Sequence, residues 1–199
     1  MKTNTTVAVW DSCVIISAIQ EASEQWPDAE RNRWSEIEPY MQNAERGDFR
    51  IVVPESVVAE VSTLRELQRH GVSVHEQASM IQGFFENPYI VRRPIHRAIS
   101  QLAAEIARTY RVKRVGDSLV LATAIVWNVQ TLHTYDEKLA GLDGQLALSD
   151  GRKLAIGAPN IAAGTIFDMR ARPEQTLTGK MTLPASPPLS SGAAQKLLS

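Results

Sequence analysis

The chain has 199 residues, with 21 lysines and arginines against 22 aspartates and glutamates, and one cysteine. That length supports one domain with a sizeable core, and the formal net charge of −1 excludes a uniformly basic nucleic-acid binder while allowing a local basic patch. With Cys13 alone, an internal disulfide and a cysteine-built zinc site are both excluded.

No apolar run approaches the ~20 residues needed to span a bilayer, and Asp11 interrupts the first apolar stretch too early for a signal-peptide core, so a soluble cytoplasmic protein is expected. Residues 7–10 form a short apolar run that ends at Asp11-Ser12, and residues 13–19 continue with helical spacing. The pattern predicts a strand, an acid at its carboxyl end, then a helix, with Cys13 as a small core residue. In open α/β sheets the crevice beyond the carboxyl ends of the strands is where ligands bind. An Asp there also suits a helix cap.

A helix is expected over residues 28–46, closed by Gly47, with Trp34, Ile37, Tyr40 and Met41 as core or dimer contacts. Residues 49–53 read as a second strand, and Pro54 as the first-turn proline of the next helix. That helix would place Val57, Val61, Leu64 and Leu67 on its apolar face and end at His70-Gly71, with Glu60 inside the buried stripe. A glutamate in such a place calls for a partner. Residues 74–85 suit another amphipathic helix, and residues 89–91 a short strand or extended link.

Residues 92–114 hold seven basic side chains, Arg92, Arg93, Arg97, Arg108, Arg111, Lys113 and Arg114, against the single acid Glu105. Such a run serves either as a solvated helix face or as a phosphate-binding surface. It leads directly into Gly116-Asp117, where an apolar helix begins. Val120, Leu121, Ala124 and Trp127 share one face, and Leu119, Ile125 and Val126 leave little of the circumference polar, so this helix is expected to be buried. Residues 131–134 then have strand character, with Leu132, Thr134 and Asp136 on one face. Residues 153–156 read as the last strand. Beyond Phe167 no aromatic residue occurs and prolines mix with small residues, so the predicted division is a domain over 1–168 and a flexible tail over 169–199.

Four acids thus occupy chain positions that can face one crevice: Asp11, Glu60, Asp117 and Asp136. Two carboxylates about 5 Å apart repel by roughly 3 kcal/mol at an effective dielectric near 20. Either some of them are protonated or a cation sits among them, and all-oxygen donors select hard ions such as magnesium or manganese.

Asp11-Ser12 after an apolar strand, Pro54 followed by Glu60, residues 116–124 (GDSLVLATA) and Thr134-Tyr135-Asp136 resemble, in order and spacing, the successive acidic motifs of PIN-domain nucleases. In size and layout the chain is most similar to the toxin component of VapBC-type toxin–antitoxin systems, departing from it over residues 21–48 and after Phe167. The resemblance spans roughly residues 7–156. It implies a PIN-like, Rossmann-like three-layer α/β/α sandwich with a central, mostly parallel sheet, and hydrolytic cutting of RNA with magnesium or manganese. By position it makes Asp11, Glu60, Asp117 and Asp136 catalytic. Asp11, Asp117 and Asp136 would hold the metal, and Glu60 would act through water. Ser12 and Thr134 would be hydrogen-bond partners of these acids. From the cationic segment, Arg108, Arg111, Lys113 and Arg114 are expected to contact RNA. An antitoxin protein and a homodimer are further expected partners. The rival reading is a non-catalytic RNA-binding or assembly module on the same fold.

Overall fold

The computed structural model describes residues 5–21, 28–63 and 73–159, without the side chains of residue 21 and residues 28–32. The expected end of the third helix at His70-Gly71, with Leu64 and Leu67, and the expected tail over 169–199 lie outside the described residues.

The chain opens with strand β1 (Thr6–Trp10) and helix α1 (Ser12–Glu21), followed by α2 (Asp28–Glu45), β2 (Phe49–Pro54) and α3 (Glu55–Thr63). Next come α4 (Val74–Phe85), β3 (Ile90–Arg93), α5 (Arg97–Tyr110) and α6 (Val115–Val126). The described part closes with β4 (Thr131–His133), a single-turn helix α7 (Glu137–Ala140) and β5 (Ala155–Gly157). The five strands form one sheet in the order β3-β2-β1-β4-β5, every pairing parallel. Helices cover both faces, which gives the three-layer sandwich. Covered strands of a parallel sheet read as apolar runs, and β2 shows it, with five of its six residues buried.

β1 is the central strand, with Val9 level with Val52 of β2 on one side and Leu132 of β4 on the other. The chain winds outward from β1 through β2 to β3, then crosses back to start β4 on the opposite side. The carboxyl ends of β1 and β4 therefore flank the place where the strand order reverses.

Beneath those two ends lies an aromatic cluster. Tyr40 of α2 meets His133 at 4.7 Å and Phe49 at 5.3 Å between ring centroids, and Trp10 packs edge-on to Tyr40 at 6.5 Å. All four side chains are buried, so the residues preceding Asp11 and Thr134 are fixed from below. Tyr40 and Ile37 bear out the expectation that α2 contributes core contacts.

Several boundaries differ from those expected. The central helix starts at Val115, two residues before Asp117, and its buried face runs without a break from Val120 to Ala124. Pro54 ends β2 instead of opening a helix, and β5 begins at Ala155, Lys153 making only an isolated bridge to Ala147. The cationic segment contains a full helix, α5, which packs on α6 through Ile99, Ala103 and Ile106.

Burial holds His133 neutral, lowering its pKa from 6.5 to about 3. Between those values the unfolded chain binds a proton that the folded one refuses, so stability falls as pH drops from 6.5 towards 3. Replacing His133 by leucine should flatten that part of the profile, as followed by urea midpoints from pH 7 to pH 4. An unchanged slope would place the acid sensitivity elsewhere.

Candidate active site

Asp11 directly follows β1 and is buried, at 6 % exposure. A polar group so placed calls for hydrogen-bond partners. It accepts the Ser12 backbone N–H at 2.7 Å on Oδ1 and the Thr134 hydroxyl at 2.8 Å on Oδ2, while the Cys13 thiol reaches Oδ2 at 3.4 Å. The Thr134 hydroxyl also accepts the Asp136 N–H at 3.0 Å. Asp136 is the N-cap of α7, its Oδ1 accepting the N–H groups of Lys138 at 2.7 Å and Leu139 at 3.4 Å. That is the geometry a short acid adopts where a helix begins.

Asp117 lies in the first turn of α6 and is partly buried. Burial raises its pKa from 3.8 to about 6, with further upward pushes from Asp11, Asp136 and Glu60 and a downward one from Arg114. All three other acids act on this one group, so the crevice gathers the four carboxylates named from the sequence. Glu60 is also raised, by desolvation first and by Asp11 second, against a hydrogen bond with the Ser12 side chain and the charge of Arg114.

Glu60 corrects one expectation. Val57 and Val61 are buried as predicted, but Glu60 is exposed, on the flank of α3 and not within its apolar stripe. The absence of a side chain at Gly116 leaves room beside it: a Cβ there would stand 3.5 Å from Glu60 Oε2. Glu60 is therefore the acid at the mouth of the crevice, and Asp11 the one at its floor.

Arg114, the N-cap residue of α6, is exposed and close enough to act on both Asp117 and Glu60. Arg108, Arg111 and Lys113 are exposed as well, Arg111 ending α5 in a left-handed conformation with φ 56°. Sequence reasoning missed Cys13. Its Sγ accepts the Tyr135 N–H at 3.2 Å and touches the Thr134 hydroxyl at 3.5 Å, so it belongs to the floor of the crevice. Burial and Asp11 push this thiol up to about 11.

Among the described residues, no three of His, Cys, Asp and Glu are gathered as a ready ion cage. The donor set is nonetheless one that hard cations prefer, four carboxylates held near enough to disturb one another. A separate apolar cleft of about 540 Å³, lined by Trp34, Met41, Met80, Phe84 and Tyr89 among others, contains none of the four acids. None of the helices among the described residues is long and apolar enough to cross a membrane.

No protein-family model matches the chain, and no curated protein does. Two solved structures are similar in chain path. One is the sarcin-ricin loop cleaving toxin VapC20 of Mycobacterium tuberculosis, 12% identical, with a TM-score of 0.48 over 67% of this chain and 93% of that one. The other is VapBC2 from Rickettsia felis bound to a DNA fragment from their promoter, 17% identical, with a TM-score of 0.45 over 67% and 90%. At this identity the crevice is defined by its own side chains.

Because Asp117 has its pKa raised, its charge destabilises the fold increasingly as pH climbs from about 4 to 6, and fully above that. Asp117→Asn should stabilise the metal-free protein at pH 8 by about 1 kcal/mol, after discounting for solvent screening of a half-exposed group, and by almost nothing at pH 4. A variant less stable than the parent at pH 8 would show that neither burial nor the neighbouring carboxylates penalise the Asp117 charge.

Proposed function

We propose that this chain is a metal-dependent endoribonuclease that hydrolyses RNA phosphodiester bonds in the manner of PIN-domain enzymes. The observation that carries the reading is the convergence of Asp11, Glu60, Asp117 and Asp136 on one crevice at the reversal of strand order, with Asp117 disturbed by all three of the others. A scaffold or simple RNA-binding surface gains nothing from such repulsion.

In this reading Asp11, Asp117 and Asp136 hold magnesium or manganese. When bound, a hard divalent ion neutralises charge on the phosphate and lowers the pKa of a bound water. Ser12 and Thr134 fix the Asp11 carboxylate, and the first N–H groups of α7 fix Asp136, so neither acid has to reorganise when substrate arrives. Glu60, at the mouth and raised in basicity, orients the attacking water. Arg108, Arg111, Lys113 and Arg114 offset the acids' repulsion of RNA, drawing its backbone towards the crevice.

The finer reading is a toxin restrained by an antitoxin protein, acting as a soluble cytoplasmic enzyme and paired with a second copy of itself. It rests on the motif order and the size of the chain.

Asp11→Asn and Asp117→Asn should each abolish manganese-dependent cleavage of mixed RNA by the purified chain while leaving its circular dichroism unchanged. Cleavage that survives in both variants would reject the nuclease.

Neutralising Arg108, Arg111 and Arg114 together should weaken RNA binding and reduce the salt slope by about one unit for each phosphate left without its cation. A slope equal to that of the parent would place the RNA elsewhere.

A further inference from the structure

Tyr135 sits between Thr134, which bonds Asp11, and Asp136, and its ring reaches α2, where the Glu36 side chain is hydrogen-bonded to it. The Arg33 guanidinium lies over that ring, 4.6 Å from its centroid. The phenol hydroxyl approaches the Arg33 carbonyl at 3.5 Å, and the Tyr135 N–H is held by Cys13 Sγ at 3.2 Å. Both ends of the tyrosine are thus tied down. Arg33 itself is exposed and forms no salt bridge among the described residues.

We propose that the Arg33–Tyr135 stack is a subsite for an unpaired nucleobase, which lies on the outer face of the guanidinium while the RNA backbone passes the acidic crevice beside it. This rests on the nuclease reading and adds a residue from a helix that carries none of the acids.

Three considerations favour a base over other ligands. Arg33 is exposed while its guanidinium is held over the Tyr135 ring, so its far side is turned to solvent, and a planar heterocycle fits there by stacking and cation–π attraction. Tyr135 directly precedes Asp136, so the pair borders one of the four acids, where a nucleotide next to the one being cut would lie. The flanks of the crevice are also unlike: Arg114 acts on the Asp117 and Glu60 side, whereas Arg33 lies over the aromatic ring that precedes Asp136. One flank suits phosphate and the other suits a base. Bases inside a duplex are already stacked on one another, so the subsite selects single-stranded RNA.

The test is a thermodynamic cycle. Binding of a short unpaired RNA is measured by fluorescence anisotropy in the Asp117→Asn background without metal. An abasic ribose is then placed at each position in turn. One position should weaken binding about five-fold or more. In the additional presence of Arg33→Ala, the intact RNA should weaken by the same factor and the abasic change should cost nothing further. Arg33→Lys, which keeps the charge but not the plane, should retain the salt slope and still lose the effect of the base.

An Arg33→Ala loss that is equal for intact and abasic RNA would mean charge or packing alone and would overturn the subsite, as would no loss at all. Manganese-dependent cleavage by the parent chain is scored in parallel. Cleavage without a base effect rejects only the subsite, and a base effect without cleavage rejects only the nuclease.

Discussion

The hydrogen bond from the Thr134 hydroxyl to Asp11, 2.8 Å long, joins the ends of the two strands where the sheet reverses its order. Its strength comes from charge: an ionised carboxylate binds a hydroxyl about twice as strongly as a neutral acceptor does. The same hydroxyl oxygen accepts the N–H of Asp136, so the placement of the second acid depends on the first being in place. Below this relay the rings of Trp10, Tyr40, Phe49 and His133 leave the strand ends no freedom to separate. The crevice is thus an outcome of sheet topology and core packing, with only the final orientation of its acids decided by local bonds.

Much of this was legible in the sequence, and the parts that were not have physical reasons. β1, β2 and α6 are covered on nearly all sides, so they appear as apolar runs that periodicity alone recovers. Asp11, Asp117 and Asp136 stand at the junctions between such runs, which makes them visible as soon as the runs are assigned. Glu60 was found for a reason that proved wrong. A helical wheel gives direction only, and it cannot tell that α3 buries just Val57 and Val61 while the neighbouring direction opens on the crevice. The bounds and apolar face of α5 were not assigned because five of the seven basic residues, Arg92, Arg93, Arg111, Lys113 and Arg114, lie outside the helix and made the segment read as a charge run. Cys13 and the Arg33–Tyr135 pair were illegible for a deeper reason. Their roles exist only across distances of more than a hundred residues along the chain, and no local spacing records such contacts.

The cationic segment shows how two local readings can both hold. Its inward residues, Ile99, Ala103 and Ile106, pack α5 against α6, whereas Arg108, Arg111, Lys113 and Arg114 collect at the end where α5 hands over to α6. A solvated helix face and a basic approach to the acids are then the same surface seen at its two ends. The left-handed turn at Arg111 brings the chain round to Arg114, and from there one exposed arginine acts on both Asp117 and Glu60.

How the fold bears four mutually repelling acids follows from where each one stands. Asp11 leads into α1, Asp117 lies in the first turn of α6, and Asp136 caps α7. Three helices therefore begin at the crevice and turn their N–H groups towards it. A helix start favours a nearby anion by about 0.3–1 kcal/mol, so three of them together offset roughly 1–3 kcal/mol, at most the repulsion of a single close pair, roughly 3 kcal/mol. Asp11 and Asp136 also accept backbone N–H groups directly, while Asp117 has Arg114 nearby but is pushed upward by every neighbouring acid. Glu60 has no helix start to lean on, being in the middle of α3, and it alone of the four is exposed to water. The acids thus differ in what stands beside each carboxylate: the Ser12 N–H and Thr134 hydroxyl for Asp11, the first N–H groups of α7 for Asp136, and the Ser12 side chain with Arg114 for Glu60. Asp117 is raised to about 6 by its burial first and by the three other acids after it, so its carboxyl group carries both costs of the site.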